Sequence, residues 1–67
     1  MINEQMNLVI EATLQDLDLA FKTNNTNARH YFEAKLDGMK YLLRAMGINF
    51  NYRRDHSGTS TYTLEIR

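Results

Sequence analysis

The chain has no cysteine, no proline, no tryptophan and only three glycines, and neither sign of charge is in surplus, with eight Lys plus Arg against eight Asp plus Glu in 67 residues. Each absence excludes something. Without cysteine there are no disulfides, thiol nucleophiles, thiolate zinc sites or iron–sulfur clusters, a usage that suits the cytosol. A net charge of zero argues against a dominant nucleic-acid binder, because affinity for a phosphate backbone rests on clustered, excess Lys and Arg. No apolar run is long enough to span a bilayer, and the start MINEQMNLVI lacks the basic residues and small-residue cleavage site of a signal peptide. A cytoplasmic location is expected.

What remains is one small domain over residues 1–67. A domain this short buries only about 60% of its unfolded surface and needs a staple, a metal or another subunit to add stability. With disulfides excluded, oligomerisation leads. The charge is also unevenly placed. Residues 1–22 carry Glu4, Glu11, Asp16 and Asp18 against Lys22, a sum of −3, while residues 23–67 carry seven basic and four acidic groups, a sum of +3.

From Ile2 to about Thr23, Met6, Ile10, Leu14, Leu17 and Phe21 recur every three or four positions, which predicts an α-helix over about 3–23 with Asn3 as N-cap. At 100° per residue Leu8, Ala12 and Leu19 fall on its opposite side, so this helix is apolar on two faces. One neighbour cannot cover both. The polar run Thr23–Asn27 supplies Asn for a left-handed C′ residue and Asn or Thr for the next N-cap, so a second helix over about 27–46 should pack antiparallel on the first. Its expected buried residues are Ala28, Phe32, Leu36, Met39, Leu43 and Met46, with Tyr31 and Leu42 at one edge. Gly47 suits a left-handed C-cap, with Ile48 following onto Leu43.

After Gly47 the period becomes two. Ile48, Phe50 and Tyr52 alternate with Asn49, Asn51 and Arg53, and Tyr62, Leu64 and Ile66 alternate with Thr61, Thr63 and Glu65, which predicts strands over about 48–54 and 60–66. Asp55-His56-Ser57-Gly58 fits a type I turn closed by a left-handed Gly58, and the register then pairs Phe50 with Leu64 and Tyr52 with Tyr62. The fold expected is therefore α+β, an antiparallel helical hairpin followed by a two-stranded antiparallel β-hairpin.

A lone two-stranded hairpin is only marginally stable in water, so its apolar face must rest on a helix or pair with another copy. Once the helices and the hairpin have each covered one face, at least one helical patch is left over: Leu8, Ala12 and Leu19, or Ala34, Gly38, Tyr41 and Ala45. These seven residues are the expected interface of a homodimer. Gly38 supports this, because a glycine inside a helix costs about 1 kcal/mol relative to Ala and calls for a packing reason.

Residues that could carry chemistry are few. His30, Glu33 and Asp37 line one side of the second helix at i, i+3, i+7, a spacing a metal could use, but Arg29, Lys40 and Arg44 share that side and favour a solvated face of i, i+4 ion pairs. His56, Ser57 and Ser60 read as turn residues. The chain lacks a phosphate loop, an HExxH and a GxSxG. No catalytic residue, metal or cofactor is therefore expected. For partner binding, Arg53 and Arg54 with Tyr52, Asn49 and Asn51 form one candidate surface, and the acidic residues Glu4, Glu11 and Asp18, seven apart on the first helix, form another.

The stretch Asn27-Ala28-Arg29-His30-Tyr31-Phe32-Glu33-Ala34-Lys35-Leu36-Asp37-Gly38-Met39 resembles small accessory proteins of bacteriophages and prophages, in which a polar-capped helix carries an aromatic pair, a Lys-x-Asp-Gly segment and an aliphatic run, here Leu42-Leu43. About a third of the chain is covered. The resemblance implies no catalytic residues; it implies a setting in which some such proteins inhibit host enzymes or antiviral defences by binding them. The function expected is a non-enzymatic protein-binding module, an inhibitor or regulator of a host system acting by surface occlusion. The alternative is a small nucleic-acid or nucleotide binder using Arg53, Arg54, Tyr52, Asn49 and Asn51.

Overall fold

The computed structural model describes residues 4–66, and the expected N-cap Asn3 lies outside them. The elements are α1 (Glu4–Lys22), α2 (Thr26–Ala45), β1 (Ile48–Arg54) and β2 (Ser60–Ile66), the predicted α-α-β-β order of an α+β fold. The turn between the helices uses its asparagines twice over. Asn24 is left-handed (φ 54°), its N–H donates to Phe21 O and that of Asn25 to Ala20 O, the two bonds that close a helix C-terminus. The Asn25 side chain then accepts from Ala28 N at 3.1 Å and caps α2. One residue thus ends one helix and begins the next, which fixes the antiparallel pair.

Gly47 (φ +81°) ends α2 and donates its N–H to Arg44 O, turning the chain into β1. The β-hairpin has the predicted register, Phe50 opposite Leu64 and Tyr52 opposite Tyr62. Its turn closes through Gly58 N to Asp55 O, with Gly58 at φ +85°. The Asp55 carboxylate accepts from Ser57 N, Ser57 Oγ and Thr59 N at 2.6–3.0 Å, so the tip is held by its own side chain.

The hairpin straddles both helices, β1 against α2 and β2 against α1, rather than covering a second face of one of them. Between the layers lies the core of Ile10, Leu14, Leu17, Leu36, Leu43, Ile48 and Phe50, with Met6, Phe21, Phe32, Met39, Tyr52, Tyr62 and Leu64 packed around it. Ala20 and Thr13 are also buried, and Thr13 Oγ1 donates to Val9 O at 2.8 Å, so its hydroxyl is satisfied within the helix.

Two expected core residues are exposed instead, Met46 at 59% and Ile66 at 71%. Met46 is the C-cap of α2 and lies beside an open groove rather than under a lid. Ile66 is the last residue of β2. Ser60 bonds to Asp18 and Tyr62 reaches Asn7 and Glu11, so β2 descends toward the start of α1.

Candidate interaction surfaces

The acidic row of α1 is the edge on which β2 rests. Asp18 accepts from Ser60 Oγ (2.6 Å), Ser60 N (3.0 Å) and Arg54 Nη2 (3.1 Å), joining α1 to both strands. Burial alone would push its pKa up, but the Ser60 hydroxyl and amide and the Arg54 guanidinium outweigh burial and hold it below the ordinary carboxylate value. Arg54 lies over the Phe21 ring at 3.3 Å from the centroid, and its Nε, which has no hydrogen-bond partner, is buried there. Arg29 approaches the same ring at 4.5 Å.

Asp18 and Arg54, expected at partner-binding surfaces, form an internal clasp in which each satisfies the charge of the other under partial burial. Their distance in sequence hid the pairing, although strand parity carried a signal: Arg54 and Ser60 are in phase with Phe50, Tyr52 and Tyr62, and so face the helices. Glu11 is similarly engaged, since the Tyr62 hydroxyl lies 3.3 Å from Glu11 Oε1 and 3.2 Å from Asn7 Oδ1. Glu4 is exposed at the start of α1.

Tyr52 is also displaced from the expected binding surface. It stacks on Phe50 (5.8 Å between centroids) on the inner face of the sheet, while Arg53 and Asn51 are exposed on the outer face and Asn49 is half-buried. Around Arg53 and Asn51, with Thr61 and Thr63 opposite, the sheet presents a shallow depression that Tyr52 and Tyr62 also line. Of the five residues grouped for nucleic-acid contact, Arg54 and Tyr52 thus turn away from Arg53. On α2, Arg29 Nε pairs with Glu33 at 3.6 Å, and no group of three His, Asp or Glu residues able to hold a metal gathers among the described residues, so His30, Glu33 and Asp37 do not converge.

One concavity among the described residues is apolar and lies between the helices. It is a groove of about 420 Å³ lined by Gln5, Met6, Val9 and Ile10 of α1 and Met39, Leu42, Leu43 and Met46 from α2 and its cap. Val9, Leu42 and Met46 stand 52–69% exposed along it. Helical geometry says which side this is. Glu11 touches the hairpin, and Val9 lies about 200° from it around α1; Lys40 borders β1, and Leu42 lies about 200° from it around α2. The groove therefore opens on the side of the helix pair away from the sheet.

Both leftover patches are uncovered as well. Leu8 (57%), Leu19 (60%) and Tyr41 (68%) are exposed, and so are Ala12, Ala34, Gly38 and Ala45. Of the eight large hydrophobics that are exposed among the described residues, all but Ile66 lie on the helices or at the α2 cap. Sequence reasoning missed Val9 and placed Met46 inside; the signal was there, since Val9 and Leu42 each sit beside a predicted stripe at helical spacing. No helix among the described residues is long and apolar enough to cross a membrane. No protein-family model, curated protein or solved structure matches the chain.

Proposed function

We propose that this chain is a non-enzymatic protein-binding module that acts by covering a protein surface, the mode of action implied by its resemblance to phage accessory proteins that inhibit or regulate host systems. The observation that supports this reading is the bare side of the helix pair. A monomeric protein rarely exposes a large contiguous apolar patch, and where it does the patch usually marks a binding site. Here Val9, Leu42 and Met46 border a groove whose other walls, Gln5 apart, are side chains of the core or packed against it, so a partner's apolar residues entering it would extend the core. The nucleic-acid reading is less favoured, because its two residues best suited to phosphate and base stacking, Arg54 and Tyr52, are engaged inside the fold.

The test is site-specific photocrosslinking in a cell lysate, with a benzophenone amino acid at position 42 or position 53. A protein-sized adduct should form from position 42. Its absence, with RNA or DNA recovered from position 53, would replace this reading with the alternative.

A further inference from the structure

We infer that the bare helix face is covered by a second copy of this chain, so that two helical hairpins stack across a two-fold axis into a four-helix bundle with a β-hairpin on each outer side. This rests on the reading of the groove as a protein-binding surface and names a second copy, in place of a different protein, as its occupant. Four observations point to a copy.

The first is surface. The chain exposes 4940 Å² at a mass of 7.9 kDa, whereas a compact monomer of that mass exposes about 4,400 Å². Its radius of gyration is 12.1 Å, against about 10.9 Å for a compact domain of this length. The excess of roughly 500 Å² is a large part of the ~800 Å² that each partner buries in a standard interface.

The second is charge. The helix α1 carries Glu4, Glu11, Asp16 and Asp18 against Lys22, a sum of −3; α2 carries Arg29, Lys35, Lys40 and Arg44 against Glu33 and Asp37, a sum of +2. On the bare face this contrast is local. Asp16 lies one heptad after Val9 and Lys35 one heptad before Leu42, so each shares the side of the groove residue on its own helix, and both are exposed. A face with an acidic helix beside a basic one is complementary to itself when a two-fold axis sets α1 of each copy on α2 of the other.

The third is backbone approach. Gly38 lies three residues after Lys35 and four before Leu42, on the same face, and a Cβ built there meets nothing within 4 Å apart from its chain neighbours and the backbone of its own helical turns. Nothing inside the chain needs a glycine at that point. With Ala12 and Ala45 it leaves a low strip between larger side chains, a shape that suits a packed helix.

The fourth is the hairpin. The sheet already occupies one side of the helix pair, so the apolar faces of α1 and α2 that remain are those of half a four-helix bundle.

The experiment is sedimentation equilibrium on the full chain from 1 to 500 µM, with circular dichroism as the control for folding. Wild type should sediment at the mass of two 7.9 kDa chains at the upper concentrations. The double variant V9D/L42D, altered at two exposed positions, should keep the wild-type spectrum and sediment as a monomer. D16K should weaken association roughly 2- to 30-fold, two exposed ion pairs being lost per dimer, and D16K/K35D should restore it. A wild type monomeric at 500 µM overturns the inference, as does a V9D/L42D that remains dimeric. If that monomer still yields an adduct with a different protein from position 42, the protein-binding reading stands and only the copy is wrong; a monomer with no adduct removes both. Failure of D16K/K35D to recover association overturns the α1-on-α2 arrangement.

Discussion

The two sides of the helix pair are built from similar apolar residues and end up differently. On the sheet side, the hairpin lies over Ile10, Leu14, Leu17, Leu36 and Leu43, and its edges are fastened by Asp18 to Ser60 and Arg54 and by Tyr62 to Asn7 and Glu11. On the other side there is no layer, and Val9, Leu42 and Met46 stand in solvent. Apolar spacing alone did not separate them. What did was the polar edge: the sheet docks where α1 offers acceptors for Ser60 and Tyr62, because the outward N–H of a strand edge needs a partner.

The largest effects should come from the sheet side. Leu36→Ala and Phe50→Ala remove fully buried groups and should cost about 2–5 kcal/mol each, enough to unfold much of a chain this small at 37 °C. Leu42→Ala, on the bare side, should change the stability of the monomer by under about 0.5 kcal/mol. Urea titration at 1 µM checks the pair, and equal losses would mean that the two sides are not distinct.

Asp18→Ala comes next. It strands the Arg54 guanidinium and the Ser60 amide in a partly buried site and should cost about 1–3 kcal/mol. The same clasp sets the acid limb of stability. Because the Asp18 pKa is lowered from 3.8 on folding, its contribution is complete above that value and is lost as pH falls below it toward the folded pKa. Asp55, lowered by its Ser57 and Thr59 hydrogen bonds, adds to the same limb. Tyr52 and Tyr62 act at the other end, both raised by burial first and then by nearby carboxylates, so the stability they add is present below pH 10.0 and is lost as pH rises past it. Thermal melts from pH 2 to 11 should show both limbs, and Asp18→Asn should flatten only the acid one. An acid limb unchanged in Asp18→Asn would mean that the clasp does not carry it.

These residues also show how far the sequence could be read. Local signals were complete where neighbours in the chain decide the outcome: Asn24 and Asn25 at the helix turn, Gly47 at the cap, Asp55 to Gly58 in the hairpin and the strand register all follow from backbone chemistry within a few residues. The strand parity that put Phe50 inside also put Arg54 inside, so half of the clasp was legible. The other half, Asp18, was not, because nothing in the spacing of α1 says which of its edges the sheet will choose. Met46 and Ile66 fail for a related reason: periodicity assigns a face, but it does not say how far the neighbouring element extends along it. The candidate binding residues divided accordingly, Arg53 and Asn51 staying outside while Arg54, Asp18 and Tyr52 were drawn in.

The smallest effect discriminates most finely between the two sides. Gly38→Ala replaces a poor helix former on the bare face, and apart from its chain neighbours and the backbone of its own helical turns nothing stands within 4 Å of the added methyl group. For an isolated molecule the substitution should therefore stabilise α2 by up to about 1 kcal/mol, which in a domain of this size raises the melting temperature by roughly 4–8 °C. If another helix lies close against that strip, the methyl group meets it and association weakens while the monomer gains. The two contributions separate by concentration: at 1 µM the variant should melt above wild type, and at several hundred micromolar the difference should shrink or reverse. A gain that is the same at both concentrations would leave Gly38 facing only water, and would make the bare side of the helix pair a surface that nothing approaches closely at position 38.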